Sequence, residues 1–123
     1  MGLKCLIVDD VEVTRFSSTT FLNRLGVDVL SSKDATEAWA ELDKNDVDII
    51  ILDWHLGRSS GLDLLKEIRG KYGNQHYILM LSGVEEESAL AKAVEVGAND
   101  FMAKPTTFEK LQSVIQKFNG HQK

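Results

Sequence analysis

The chain has one cysteine, Cys5, and one proline, Pro105, among its 123 residues. A lone thiol closes no internal disulfide, and Cys5 lies inside the apolar run from Leu3 to Val8, where it reads as a packed strand residue. A reducing compartment, the cytoplasm, is therefore expected. Basic charge is scarce as well: 14 Lys and Arg stand against 19 Asp and Glu, a formal net charge of -5. Without a concentrated basic surface, no nucleic acid partner is expected. Long apolar stretches are missing too. Runs such as Ile49 to Leu52 fall far short of the ~20 residues a membrane span requires, so no membrane partner is expected either. The apolar residues before Asp9 are too few for a signal-peptide core, and Leu6 occupies the Ser/Thr position of a myristoylation motif. No linker, repeat or low-complexity tract interrupts the chain, which is long enough to bury a core without disulfide or metal staples.

What is present is alternation. Short apolar runs alternate with amphipathic stretches, the pattern of repeated strand-helix units that build a parallel sheet covered on both faces. Five strands are expected, at Lys4 to Val8, Val27 to Ser31, Ile49 to Leu52, Tyr77 to Leu81 and Phe101 to Ala103. Ala35, Ala38, Trp39 and Leu42 recur at helical spacing, which places Trp39 in the core, and Asp34 with Glu37 resembles a capping box. Phe108, Leu111, Ile115 and Phe118 repeat the pattern, as do Leu64, Leu65 and Ile68 after Gly61. Gly26 and Gly97 sit where helix C-caps belong, and Glu85 to Glu87 suit the positive end of a fourth helix. Asn119 to Lys123 reads as a frayed tail.

In open parallel sheets, ligands bind beyond the carboxyl ends of the strands. Four of the five strands end there in a reactive group: Asp9-Asp10, Asp53, Ser82 and Lys104-Pro105. Taken singly, each has an ordinary explanation, since Asp9 or Asp10 suits a helix cap, Asp53 and Ser82 suit turns, and Lys104 suits a solvated loop. Their coincidence at one sheet edge is the signal. With the flavodoxin-like order 2-1-3-4-5, the first and third strands are neighbours ~4.8 Å apart, and Asp9, Asp10 and Asp53 crowd together. Such a cluster is costly unless a cation relieves it, and all-oxygen ligands select a hard ion, with Mg²⁺ fitting better than a Ca²⁺ cage. Lys104, starting about 10 Å from the third strand, needs its full length to approach, whereas Ser82 is one strand away. A nucleophilic carboxylate, a metal, a cation and a hydroxyl converging on one point suit a phosphoryl group.

These residues resemble the receiver domain of two-component response regulators, the single-domain chemotaxis type above all. The resemblance rests on Asp9-Asp10 after Cys5 to Val8, on Asp53 in Leu52 to Leu56 with Gly61 following, on Leu79 to Gly83, on Gly97 to Phe101 and on Lys104-Pro105. It implies one receiver domain over residues 1–123 without an output domain, built as a doubly wound α/β sheet of five parallel strands with five helices. It further implies that Asp53 accepts a phosphoryl group from a phosphohistidine on a histidine kinase or histidine phosphotransfer protein. Asp9, Asp10, Asp53 and the backbone carbonyl of His55 would ligate Mg²⁺, Lys104 would pair with the phosphoryl oxygens, and Ser82 would move toward them. Phe101 would turn into the space Ser82 leaves, and the face of the fourth helix, fifth strand and fifth helix, bearing Lys92, Glu95, Phe101, Thr107 and Lys110, would engage a downstream protein. The Lys104-Pro105 bond would be cis, aiming Lys104 inward. The chain would be no enzyme beyond its own phosphorylation and dephosphorylation.

Four positions bear on that resemblance. Gly57 stands where the family commonly has proline, which implies a more mobile loop. Phe101 offers no phenolic hydroxyl. His55 and Val84 follow Asp53 and Ser82 by two residues, where side chains influence how water reaches an acyl phosphate. Trp54 beside Asp53 is either a contact residue or loop packing, and His76 and His121 carry no assigned role. Two other readings compete: a Mg²⁺-dependent phosphatase with an aspartyl nucleophile, and a receiver-like scaffold that is never phosphorylated. The first would want a second Asp where His55 stands; the second would not retain every site residue. A flavin site suits the fold, but Asp9-Asp10 would repel the flavin phosphate.

Overall fold

Apolar side chains at successive positions can be buried only if a strand is covered on both faces. The computed structural model, which describes residues 2–83 and 87–121, of them 87–90 and 121 by backbone alone, meets that demand. In chain order its elements are β1 (Lys4–Val8), α1 (Glu12–Arg24), β2 (Asp28–Ser32), α2 (Ala35–Lys44), β3 (Ile49–Asp53), β4 (His55–Leu56), β5 (Ser59–Ser60), α3 (Gly61–Tyr72), β6 (Tyr77–Ser82), α4 (Glu87–Val96), β7 (Asp100–Ala103) and α5 (Phe108–His121). The main sheet has five parallel strands in the order β2-β1-β3-β6-β7. With the two-residue strands β4 and β5 set apart, this is the expected order 2-1-3-4-5.

Period-two alternation sorts the core into two layers. Leu6, Val8, Ile50, Leu52, Ile78 and Met80 face one cluster, closed by Ala38, Leu42, Leu64, Leu65, Ile68 and Ala93 of α2, α3 and α4. Cys5, Ile7, Ile49, Ile51, Leu79 and Leu81 face the other, closed by Leu22 of α1 and Leu111, Val114 and Phe118 of α5. Burial pushes the Cys5 thiol far above its ordinary range, in keeping with a packing role. Trp39 lies at the rim of the first layer rather than inside it, its ring tilted against Tyr72 at 6.1 Å with the Lys71 ammonium 5.3 Å above.

The helix ends follow local chemistry. Asp34 Oδ1 accepts from Glu37 N at 2.9 Å, and Glu37 Oε1 accepts from Lys33 N at 2.9 Å, so the box closes one residue earlier than the usual pattern. Ser60 and Thr107 cap α3 and α5 with their hydroxyls. Neither Asp9 nor Asp10 caps α1; the N-cap is Val11 and makes no side-chain bond. Gly26, with φ 81°, ends α1, and Val27 N donates back to Leu22 O. That bond keeps Val27 with the helix, so β2 begins at Asp28 and not at Val27.

One further expectation is corrected. The tail from Asn119 is helical to His121, because Phe118 is buried edge-on against Tyr77 at 5.7 Å and anchors the last turn; residues 122 and 123 lie outside the described residues, as do Val84, Glu85 and Glu86. His76 precedes β6 in a loop, yet it is buried, with its ring edge-on to Tyr72 at 5.2 Å and no hydrogen bond at Nδ1. Beside it, Arg69 ties three segments together: Nε donates to Gly97 O at 2.9 Å, Nη1 to His76 O at 2.8 Å and Nη2 to Asn99 Oδ1 at 2.7 Å.

The segment after β3 closes into a hairpin. His55 pairs with Ser60 and Leu56 with Ser59, leaving Gly57-Arg58 as a two-residue turn. Gly57 has φ 61°, which proline cannot adopt, so the residue that departs from the family pattern is what this turn needs. Gly61 packs its Cα onto the chain it has just left: a Cβ there would collide with the Asp53 carbonyl oxygen.

Two predictions come from this packing. Gly61→Ala should cost about 1 to 3 kcal/mol of unfolding free energy by urea titration, whereas Gly70→Ala, whose Cβ meets open space within α3, should gain about 0.5 to 1 kcal/mol. Burial, then the Arg69 charge, lowers the His76 pKa against the smaller opposing pull of Asp48. The unfolded chain then binds more protons, so this contribution is complete above the ordinary value of about 6.5 and drains away as pH falls below it. His76→Phe should remove that part of the difference between urea midpoints measured at about pH 7.5 and about pH 5.5.

Candidate functional site

The carboxyl ends of β1, β3, β6 and β7 carry the polar residues singled out in the sequence. Val8 is in register with Leu52, so Asp9 leaves β1 level with Asp53 at the end of β3. Leu81 stands opposite Asp53 and Ala103 opposite Ser82, which places Ser82 on the strand between the acid and Lys104. Strands buried on both faces deliver these groups with little freedom: Asp9 is fully buried, Asp53 is 4% exposed and Ser82 6% exposed, while Asp10 is turned to solvent.

The sheet brings three carboxylates together, with oxygens of Asp9, Asp10 and Asp53 all within 4.8 Å of one another. Lys104 spans the intervening strand and places Nζ 2.7 Å from Asp53 Oδ2 and 3.6 Å from Asp9 Oδ2. Burial raises the Asp9 pKa, with the Asp53 charge adding to it, against the Val11 N–H and the Lys104 charge, which lower it. Burial alone would lower the Lys104 pKa; the hydrogen bond and charge of Asp53, and then Asp9, outweigh it, so the ammonium is held above its ordinary range. The arrangement is anionic overall, with one ammonium in contact with the acids.

A hard divalent cation suits this donor set. The observation that tests the fit is Asp9 Oδ2, a fully buried carboxylate oxygen with no hydrogen-bond partner. Its sister oxygen accepts from Val11 N at 2.9 Å, which fixes the carboxylate plane. An acceptor left unsatisfied in the interior is costly, and a cation beside Asp10 and Asp53 would satisfy it.

The other expected residues lie nearby in different ways. Lys104-Pro105 is a cis bond, as expected, and Lys104 N donates to Ser82 O at 2.7 Å. Phe101, in register with Met80, is half-buried against the first core layer. The His55 side chain points outward from the hairpin, and Trp54 is half-buried, its backbone N donating to Leu81 O at 2.9 Å. On the face of α4, β7 and α5, Lys92 and Glu95 are exposed, whereas Lys110 Nζ is taken up by the carbonyls of Ala103 and Pro105. Sequence reasoning missed Arg15, whose Nη1 donates to Asp9 O at 2.7 Å, and the hydroxyl pair Ser18 and Thr106, 2.9 Å apart. Ser18 left a trace, since it shares the helical stripe of Phe21, Leu22 and Leu25; Arg15 left none.

Among the described residues, no helix is long and apolar enough to cross a membrane. Residues 5–116 match the sequence profile of the response regulator receiver domain. The chemotaxis protein CheY homolog of Campylobacter jejuni is 35% identical, with 96% of each chain covered. CheY1 of Helicobacter pylori is 32% identical over 96% of this chain and 98% of its own. Among solved structures, CheY4 of Vibrio cholerae superposes with a TM-score of 0.90 at 28% identity, covering 96% of this chain and 99% of that one. A response regulator of Burkholderia pseudomallei, solved with a phosphorylated aspartic acid and a calcium ion, superposes with a TM-score of 0.82 at 27% identity, covering 98% of this chain and 74% of its own. The strand order, the acidic edge and these likenesses agree: the chain belongs to the receiver domains of response regulators, the CheY-like switch domains of two-component signalling.

Proposed function

We propose that Asp53 accepts a phosphoryl group from a phosphohistidine on a histidine kinase or histidine phosphotransfer protein, and that the modified chain signals through protein contact. The observation that carries this reading is the placement of Asp53, with Lys104 Nζ 2.7 Å from one oxygen and Asp9 Oδ2, which has no hydrogen bond, within the same acidic cluster. The phosphorylated aspartic acid of the Burkholderia relative supports the same chemistry here.

Asp9, Asp10, Asp53 and the His55 backbone carbonyl would hold Mg²⁺. When bound, the ion neutralises the carboxylates and the phosphoryl oxygens. An Asp53 oxygen attacks phosphorus as the phosphorus–nitrogen bond breaks, the imidazole leaves, and an acyl phosphate remains. Lys104 then exchanges its carboxylate contact for phosphoryl oxygens, a charge-assisted bond. The strand-end position of Ser82 brings its hydroxyl to the same oxygens, and the movement of Ser82 frees space for Phe101. A local charge thereby biases a two-state face formed by α4, β7 and α5, with Lys92, Glu95, Phe101, Thr107 and Lys110 meeting the downstream protein. The chain acts on itself alone, taking the group up and losing it to water.

Intact-protein mass spectrometry after incubation with acetyl phosphate or phosphoramidate tests this. A gain of one phosphoryl group that needs Mg²⁺ and is absent in Asp53→Asn is expected; a folded, Mg²⁺-binding wild type that gains nothing would leave the scaffold reading standing. Substituting His55 or Val84 should change the decay rate of the acyl phosphate without abolishing its formation, and decay unchanged in both would remove these residues from any part in water access.

A further inference from the structure

Ser18, Phe21 and Leu22 of α1 and Leu25 at its C-cap follow one another at helical spacing, and this stripe faces α5 and the sheet. Phe21 meets Phe108 edge-on at 6.4 Å, and Arg24 lies 4.8 Å above the same ring. Ser18 is the polar member of the stripe and is 1% exposed. A hydroxyl so buried is costly unless bonded, and its partner comes from far along the chain. Ser18 Oγ lies 2.9 Å from Thr106 Oγ1, 88 positions away in sequence, and Thr106 is itself 8% exposed.

Thr106 follows Lys104 across a single residue, Pro105. Lys104 reaches Asp53 across β6 on a long, flexible stem, so its contact holds only while its own Cα stays in place. β6 and α5 already grip this segment: Lys104 N donates to Ser82 O at 2.7 Å, and Lys110 Nζ donates to Ala103 O at 3.2 Å and to Pro105 O at 3.1 Å. These bonds hold backbone atoms from the sheet side and from α5. The hydroxyl pair holds the segment from α1, the helix whose Arg15 also grips the carbonyl of Asp9.

We propose that Ser18 and Thr106 are positioning residues for Lys104: their hydroxyl pair locks the segment after β7 against α1 and keeps the ammonium seated on Asp53. The inference rests on Asp53 being the acceptor and Lys104 the group that meets the phosphoryl oxygens.

Four variants test it: Ser18→Ala, Thr106→Val, the double variant and the conservative Thr106→Ser. In metal-free protein, labelling with limiting acetic anhydride reads the seating of Lys104 directly, with the exposed Lys33 as internal reference. Lys104 labelling should rise several-fold in Ser18→Ala and Thr106→Val and stay at the wild-type level in Thr106→Ser. With phosphoramidate at saturating Mg²⁺, the phosphorylation rate should fall about tenfold in the first two, because a small misplacement of a reacting group is costly. The double variant should be no slower than the slower single one, the bond being already lost. Wild-type labelling and rates in both single variants overturn the positioning role alone. So does Thr106→Ser as slow as Thr106→Val, or a rate loss that merely follows the folded fraction in parallel thermal unfolding. A wild type that phosphoramidate does not phosphorylate overturns the acceptor reading, and this one with it.

Discussion

Asp9 and Asp53 are buried next to each other at the ends of neighbouring strands, with Asp10 at the rim and all three carboxylates within 4.8 Å. Two carboxylates about 5 Å apart repel by about 3 kcal/mol at an effective dielectric near 20. A fold that accepts this must bring positive charge to the same point, and the near neighbours β1 and β3 carry none there. Lys104 comes from just past the end of β7, two strands from β3, and its ammonium makes the 2.7 Å contact with Asp53. Much of the surrounding structure serves that contact. Gly61 admits the backbone of the loop behind Asp53, Val11 and Arg15 hold Asp9 at its carboxylate and its carbonyl, and Ser82, Lys110 and Thr106 hold the segment that carries Lys104.

The position of Ser82 gives this electrostatic arrangement a mechanical side. It stands at the end of the one strand that Lys104 must cross, and its neighbour β7 carries Phe101 half-buried over the first core layer. On the proposed reading, new negative charge on Asp53 pulls a hydroxyl and an ammonium toward it from the same side of the sheet. What lies behind them is the half-buried ring of Phe101, and close-packed surroundings convert a small shift into a choice between two placements.

The fold was legible because buried parallel strands leave a strong signature, and Ile49 to Leu52 admits little else. The acidic triad was legible because residue type, strand end and strand order combine into geometry. What escaped depends on single contacts without a period. The hairpin at Gly57 is two residues on each side, too short for alternation to register. Val27 looked like strand until its N–H proved to be bonded to Leu22. Helix at residues 119 to 121 follows from Phe118 docking on Tyr77, a contact between distant segments. Arg69 and His76 are ordinary polar letters in sequence, and only the approach of Gly97, Asn99 and Tyr72 gives them their surroundings. Ser18 shows the middle case: a hydroxyl on an apolar stripe is visible, but its partner is not.

The span of 51 positions between Asp53 and Lys104 has a consequence for how the chain is made. Synthesis delivers β1, β2 and β3 first, and β1 can pair with both of the others before β6 and β7 exist. An emerging chain at that stage already holds the whole acidic triad and lacks its counter-charge. Repulsion therefore works against early closure of the half-sheet until the last third of the polypeptide arrives, so that completion of the carboxyl-terminal strands, rather than hydrophobic collapse alone, gates the birth of the native edge.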